Sequence, residues 1–275
     1  MKSLVNRPPN LARLTRLEGR PALGAVESYL RARSRSRRAG VPIVPLAPGS
    51  VSGLVCWMDG AYGLSDPLDL EPVPSWGDKS GNGLDLSQAT GAAMPIYHTT
   101  GGPNGLPFIE FDGVDDYLEG SDTTALNAPT TVLRVATWLG TYVPLDIAGD
   151  NLGNNESMFF GASAMYHQQY GQWYNRAHQT AAGIGWGWDA GYWGAGAASD
   201  LRYWLRGEES TMGLAANGSP GPFNSTTRRL RLGGRSDGTL YWSGRFAEVL
   251  IYNRALTDAE LLGLGLWLAA KYNLT

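Results

Sequence analysis

The sequence predicts an all-β fold: an antiparallel β-sandwich preceded by a helical arm and closed by a C-terminal helix. Three observations carry this. Turn dipeptides punctuate the chain from Val51 onward, at Asp59-Gly60, Asn82-Gly83, Asn104-Gly105, Asp112-Gly113, Asn217-Gly218 and Asp237-Gly238. Asn and Gly accept the positive φ that tight hairpins need. Between the turns lie short runs rich in β-branched and aromatic residues, such as FAEVLIY (Phe246 to Tyr252). In that run Phe246, Glu248, Leu250 and Tyr252 alternate with Ala247, Val249 and Ile251, so one face is wholly apolar and a central core strand is expected. Short strands at regular spacing favour a sandwich over alternating βαβ units. The third observation is a change of period at the C-terminus. Thr257 and Glu260 have capping-box spacing, and Leu261, Leu264 and Leu268 follow at helical intervals, flanked by Leu262 and Trp267.

The chain has 275 residues, with 37 glycines, 10 tryptophans and 13 tyrosines. That length builds a full core without covalent staples. One cysteine, Cys56, rules out an intramolecular disulfide and any cysteine-clustered zinc site. It lies in the apolar run LVCWM and is expected to be a buried small hydrophobe. No stretch approaches the roughly 20 apolar residues of a membrane span. Residues 1–19 are broken by Arg7, Pro8, Pro9, Arg13 and Arg16, so no secretory signal is read there.

Charge is unevenly placed. Residues 1–40 hold ten Lys and Arg against Glu18 and Glu27, a net +8. The remainder carries 12 basic and 23 acidic residues, a net −11. The arm, residues 1–39, has Leu11, Leu14 and Leu17 on one helical stripe, a break at Gly19-Arg20-Pro21, then Leu23, Val26 and Leu30 on a second. Arg31, Arg33, Arg35, Arg37 and Arg38 follow. Such an arm could neutralise phosphates, dock on an acidic protein surface, or remain a solvated tail. Apolar stripes need an apolar partner, so docking to a protein assembly is expected and nucleic acid is not. Residues 40–50, GVPIVPLAPGS, form a proline-rich linker. The sandwich occupies 51–275.

Five sequence elements then occur in order from Trp76 to Glu260. They are W-x-D-x-SGNG from Trp76, F-D-G-x-D-D-Y-L from Phe111, L-G-x-R-x-D-G from Leu232, G-x-x-A-E-V-x-I-Y-N-R-x-L from Gly244, and T-D-A-E from Thr257. Together they resemble the laminin-G-like branch of the concanavalin A-like lectin/glucanase superfamily. The resemblance implies a concanavalin A-like jelly roll, a fold that serves sugar binding, adhesion, hydrolysis and structure alike.

Three groups of residues are candidate sites. Asp112, Asp115 and Asp116 could hold calcium, as some relatives of this fold do, or could form a turn with caps. One short cluster supplies too few of the roughly 6–8 oxygen ligands calcium takes, which favours turn and caps, with no cofactor expected. Glu110 and Asp112 lie two apart and would share one strand face, and a retaining glycosidase needs two carboxyl groups only ~5–5.5 Å apart. The glucanase motif E-x-D-x-(x)-E is not reproduced, because an aspartate stands last and Gly113 interrupts the strand. The third group is the aromatic segment Tyr166 to Trp204. Trp173, Trp186, Trp188, Asp189, Tyr192 and Trp193 could form a sugar platform, fill the core, or make a subunit interface. His98, His167 and His178 make no metal pattern, and no nucleophile elbow or phosphate loop is present.

The expected protein is therefore non-enzymatic: a structural or decoration module of a virion, released by lysis. It would be anchored to capsid or tail proteins through Leu11, Leu14, Leu17, Leu23, Val26, Leu30 and the arginines after them. Its lectin-like sandwich would face outward towards host glycans, as a homo-oligomer. This resembles laminin-G-like proteins on phage particles. A secreted carbohydrate-binding or adhesion module is the alternative, with a glucanase-type hydrolase behind it.

Overall fold

Among the described residues, two antiparallel sheets of eight strands each face one another across the main hydrophobic core. The computed structural model describes residues 44–64, 67–122, 126, 129–138, 144–149, 157–160, 164–169, 172–177, 185–194, 201–205, 208–209 and 228–274. The arm residues, from Leu11 to Arg38, lie outside the described residues.

The first sheet, sheet A, contains β1 (Leu54–Asp59), β4 (Ile96–His98), β5 (Phe108–Asp112), β7 (Thr130–Trp138), β12 (Gly187–Trp193), β13 (Arg202–Leu205), β14 (Glu208–Glu209) and β16 (Ser243–Tyr252). Its order is β14-β13-β12-β7-β16-β5-β4, and β1 also pairs with β16. The second, sheet B, contains β2 (Ser75–Trp76), β3 (Leu86–Ser87), β6 (Leu118–Asp122), β8 (Leu145–Gly149), β9 (Ser157–Phe160), β10 (Ala164–Gln169), β11 (Gln172–Ala177) and β15 (Arg228–Leu232). Its order is β11-β10-β9-β8-β15-β6-β3-β2.

Strand β16 is central, as its composition predicts. One of its edges pairs with β7; its other edge meets β5 through Ser243 to Phe246 and β1 through Glu248 to Tyr252. The strict alternation read from sequence fails at one point. A bulge against β7 lets Phe246 pair with Ala136 and Glu248 with Val135, so Ala247 is an extra residue. Phe246 therefore faces the inter-sheet core with Val249 and Ile251, while Ala247 lies on the opposite side with Leu250 and Tyr252. The freed Ala247 carbonyl accepts bonds from Gly60 N (2.9 Å) and Tyr272 Oη (3.0 Å). Both faces of β16 are buried because a second core covers its outer side.

That second core lies under α1 (Asp258–Tyr272). The expected capping box is present: Glu260 N donates to Thr257 Oγ1 (3.2 Å) and Thr257 N to Glu260 Oε2 (2.9 Å). Arg254 also clamps Glu260 (2.7 Å), and this pairing holds its carboxyl down at about 2. Leu261, Leu264, Leu268 and Tyr272 are buried against sheet A. Gly265 allows the helix to sit directly on the Trp188 ring, where a Cβ would collide. Gly263 does the same for Leu46, whose N–H donates to the Gly263 carbonyl (3.0 Å). The described part of the linker, 44–50, is thus held to the helix and the sandwich, with Tyr252 Oη donating to Pro48 O (3.1 Å).

Lys271, near the end of α1, reaches Asp59 on β1 and Glu248 on β16, each at 2.9 Å. Asp59 and Glu248 are buried. Removing one partner of such a cluster leaves buried charge uncompensated. Lys271→Met should therefore lower folding stability by about 3 kcal/mol, read as a reduced urea midpoint with an unchanged slope.

Candidate functional site

Alternation along sheet B separates an apolar inner set from a polar outer set. Trp76, Leu86, Leu118, Leu145, Ile147, Leu230 and Leu232 enter the inter-sheet core. The residues between them belong to the other face, which α1 does not touch, since that helix packs on sheet A.

Strand register aligns this other face into rows. One row crosses all eight strands: Asn175, Tyr166, Phe159, Asp146, Arg231, Glu119, Ser87 and Ser75 are successive cross-strand partners. A second row, two residues along, runs Trp173, Gln168, Ser157, Ala148, Arg229 and Ser121. With neighbouring strands ~4.8 Å apart, the first row spans roughly 34 Å.

The middle of the face is built from ion pairs and a ring. Arg231 Nε donates to Glu119 Oε2 (2.9 Å), and its guanidinium lies 4.0 Å from the Tyr117 ring centroid. Arg229 Nη1 sits 3.5 Å from the other oxygen of the same carboxylate. The turn after β15 folds over one part of the face. Its Ser236 gives both N–H and Oγ to buried Asp146 Oδ2 (2.9 Å each), and Arg235 O accepts from Arg231 Nη1 (3.1 Å). Gly238 adopts φ 77° there, as its Asp-Gly turn predicts. Half-exposed Arg229 and Glu119 are left beside the turn, flanked by the serines of β2 and β3.

The sequence reading missed Tyr117, Glu119, Arg229 and Arg231. The signal was present in RLRL, where two leucines and two arginines alternate over Arg229 to Leu232. Period two sends the leucines inward and the arginines out.

The six residues expected to form an aromatic platform are not brought together. Trp173 belongs to β11 in sheet B, whereas β12 is in sheet A. Within the β12 segment, Trp186, Trp188 and Tyr192 pack with the helix-side core, and Trp193 enters the inter-sheet core. Asp189, on the same side as Trp193, is buried and bonded to Arg134 Nε and Nη2 (2.6 Å each) and to Tyr203 Oη (2.8 Å). Burial and the Asp189 charge push the Tyr203 hydroxyl far above its ordinary range. Asp189 is thus committed to an internal ion pair. The platform reading joined residues across strand and sheet boundaries.

Asp112, Asp115 and Asp116 do converge, with ligand atoms within 4.8 Å of one another. Their bonds are those of a capped turn. Asp112 Oδ1 accepts from Val114 N (2.7 Å), and Asp116 Oδ2 from Asp112 N (2.9 Å). Gly113 takes φ 81° between them. Glu110 and Asp112 share strand β5, and Glu110 is engaged by Arg245 (3.0 Å) and His98 (2.8 Å).

No protein-family model matches the chain, and no curated protein sequence matches it. Solved structures do. Domain 4 of AbnA, a GH43 extracellular arabinanase from Geobacillus stearothermophilus, in complex with arabinotriose, matches with a TM-score of 0.53 at 15% identity. The match covers 77% of this chain and 98% of that domain. A sialidase of Trypanosoma rangeli matches with a TM-score of 0.49 at 15% identity, over 92% of this chain and 39% of the sialidase, so the chain spans about two fifths of that enzyme. The binding domain of Paraclostridial Mosquitocidal Protein 1 gives 0.48 at 14% identity, over 77% of this chain and 52% of that one. The arabinanase domain shows the shared fold, a lectin-like antiparallel β-sandwich. It also corrects one expectation. The sequence reading set the chain apart from enzymes, yet the neighbour that shows its fold is a domain of an extracellular arabinanase. At these identities the likeness is one of fold, and the non-enzymatic assignment is withdrawn.

One prediction concerns the acidic turn. Burial, then the charges of Asp112 and Asp115, raise Asp116 from 3.8 to about 6. The folded state thus favours the protonated acid. That stabilisation is full below pH 3.8 and is lost as pH rises through about 6. Asp116→Asn keeps an acceptor for Asp112 N without the charge. It should melt higher than the parent at pH 7.5, and the difference should vanish by pH 4 in thermal scans.

Proposed function

We propose that this chain is a carbohydrate-binding β-sandwich and that its ligand lies across the outer face of sheet B. The observation that carries this reading is the register row crossing all eight strands, polar and aromatic residues intermixed. Saccharide sites combine flat apolar surface with a few placed polar groups. Backbone register puts Trp173, Tyr166 and Phe159 in the rows that also hold Arg229 and Glu119, and the last two supply donors and acceptors for hydroxyls. The likeness to a domain described in complex with arabinotriose supports the same class of ligand. The motif order that resembles laminin-G-like domains is compatible with it.

A finer placement rests on the charge split. The arm of net +8 precedes a body of net −11, and its leucine stripes suit a protein surface. The arm would fix the chain to a larger assembly, a virion in this reading, through capsid or tail proteins, with the sandwich displayed.

Two experiments test these readings. A glycan array probed with the full chain should return binders, and Arg229→Ala and Trp173→Ala should each weaken the best of them at least tenfold with little change in melting temperature. Unchanged affinity in both variants would place the ligand elsewhere. Deleting residues 1–40 should leave a folded sandwich that no longer joins its particle; continued incorporation of the truncated chain would end the anchoring proposal.

A further inference from the structure

The outer face of sheet A is not wholly covered by α1. Beyond the helix, a row of side chains crosses four strands. Glu110 on β5 pairs with Arg245 on β16, which pairs with Thr137 on β7. Trp186 immediately precedes Gly187, the partner of Ala136, and so lies beside Thr137. Its indole meets the edge of Phe108 on β5 at 5.3 Å and 70°, which carries it across β7 and β16. His98 on β4 stacks on the same Phe108 at 4.4 Å with rings 5° from parallel. Arg245 lies 5.3 Å from that ring and gives Nε and Nη2 to Glu110 Oε1 at 3.1 and 3.0 Å. His98 Nε2 is 2.8 Å from the second carboxylate oxygen. Glu110, Arg245 and His98 are each partly exposed, at 29%, 35% and 20% of their side chains.

Thr137 supplies a second, independent observation. The residue is 4% exposed, and its hydroxyl has no hydrogen-bond partner. Leaving a hydroxyl enclosed and unbonded costs on the order of 1–3 kcal/mol, which a nonpolar residue of the same shape would avoid. Valine fits a strand at least as well as threonine. Thr137 stands between Trp186 and Arg245 in the cross-strand register, and both of these neighbours are partly exposed.

We propose that Trp186, Thr137, Arg245, Glu110 and His98 form a second saccharide site, for a neutral sugar, on the face opposite the sheet B row. The indole covers the C–H face of the ring. A sugar hydroxyl satisfies Thr137. Neighbouring hydroxyls engage the guanidinium and imidazole, whose orientation Glu110 fixes. The guanidinium and carboxylate cancel in charge, which suits an uncharged ligand. The choice of ligand class rests on the carbohydrate reading above; the location does not.

Calorimetric titration of the full chain with a panel of neutral oligosaccharides including arabinotriose tests this. The expected result is two binding events per chain. Arg229→Ala should weaken one of them, and Trp186→Ala should abolish the other. Thr137→Val is the decisive variant, because the two roles of the hydroxyl predict different outcomes. It should raise the melting temperature of the free protein, by removing an unbonded hydroxyl, and weaken the second event about tenfold. A single event that is insensitive to Trp186→Ala and Thr137→Val, yet lost in Arg229→Ala, overturns this site and leaves the sheet B reading standing. No binding of any panel member overturns both.

Discussion

The sandwich is fastened by one buried charge cluster. Asp59 ends β1, Glu248 sits at the bulge of β16, Lys271 lies in the last turn of α1, and Lys79 follows the Trp76-Gly77-Asp78 loop. Lys271 bonds both carboxylates at 2.9 Å, Lys79 bonds Asp59 at 2.8 Å, and Trp57 Nε1 donates to Glu248 at 2.6 Å. Two carboxylates and two ammonium groups balance, so no net charge is left in the low-dielectric interior. The two acids nevertheless differ. At Asp59 burial pulls the pKa up, but two lysines outweigh it and the net shift is down. At Glu248 burial prevails over Lys271 and the net shift is up. Four segments distant in sequence meet in this cluster. Asp78 extends it locally, accepting from Trp57 N (2.8 Å) and Ser80 N (2.9 Å) and so folding the SGNG turn onto β1.

The bulge in β16 makes the cluster sterically available. Without the extra Ala247, Phe246 and Glu248 would share a face, and either the aromatic ring would leave the core or the acid would enter it. With it, Phe246 packs on Phe111 and Trp242 inside, and Glu248 faces α1. The helix is then obliged to cover sheet A, and the glycines at 263 and 265 let it lie close. Coverage stops short of Glu110, Arg245 and His98, which keep part of their side chains exposed on the same sheet.

Much of this was legible in the sequence. Positive φ at Gly83, Gly105, Gly113 and Gly238, the capping box, the buried Cys56 and the central strand at Phe246 to Tyr252 follow from local rules and are present; Gly60 does not take a positive φ, and Gly218 lies outside the described residues. The aromatic segment was not legible, for a physical reason. Ring count along the chain says nothing about which of two sheets a strand joins, and β11 and β12 join different ones. Asp189 looked free because its partner, Arg134, is 55 residues away in sequence. Strict alternation put Glu248 on one face with Phe246, because the bulge that turns it towards Lys271 has no local signature.

The two faces differ in how their polar groups are disposed. On sheet B, Arg231 is held from three sides, by Glu119, Tyr117 and the Arg235 carbonyl, so it is fixed before any ligand arrives. Arg229 shares the same carboxylate at a looser 3.5 Å. A guanidinium already held in place loses little ordering entropy when it bonds a further group. On sheet A, Glu110 takes the bracing role between Arg245 and His98, and the unbonded group is a hydroxyl. Under the two proposals, the groups offered to a ligand are a partly exposed guanidinium on one face and an enclosed neutral hydroxyl on the other. The first tolerates many partners; the second accepts only a group of the right reach, because a misfit leaves the oxygen still unbonded.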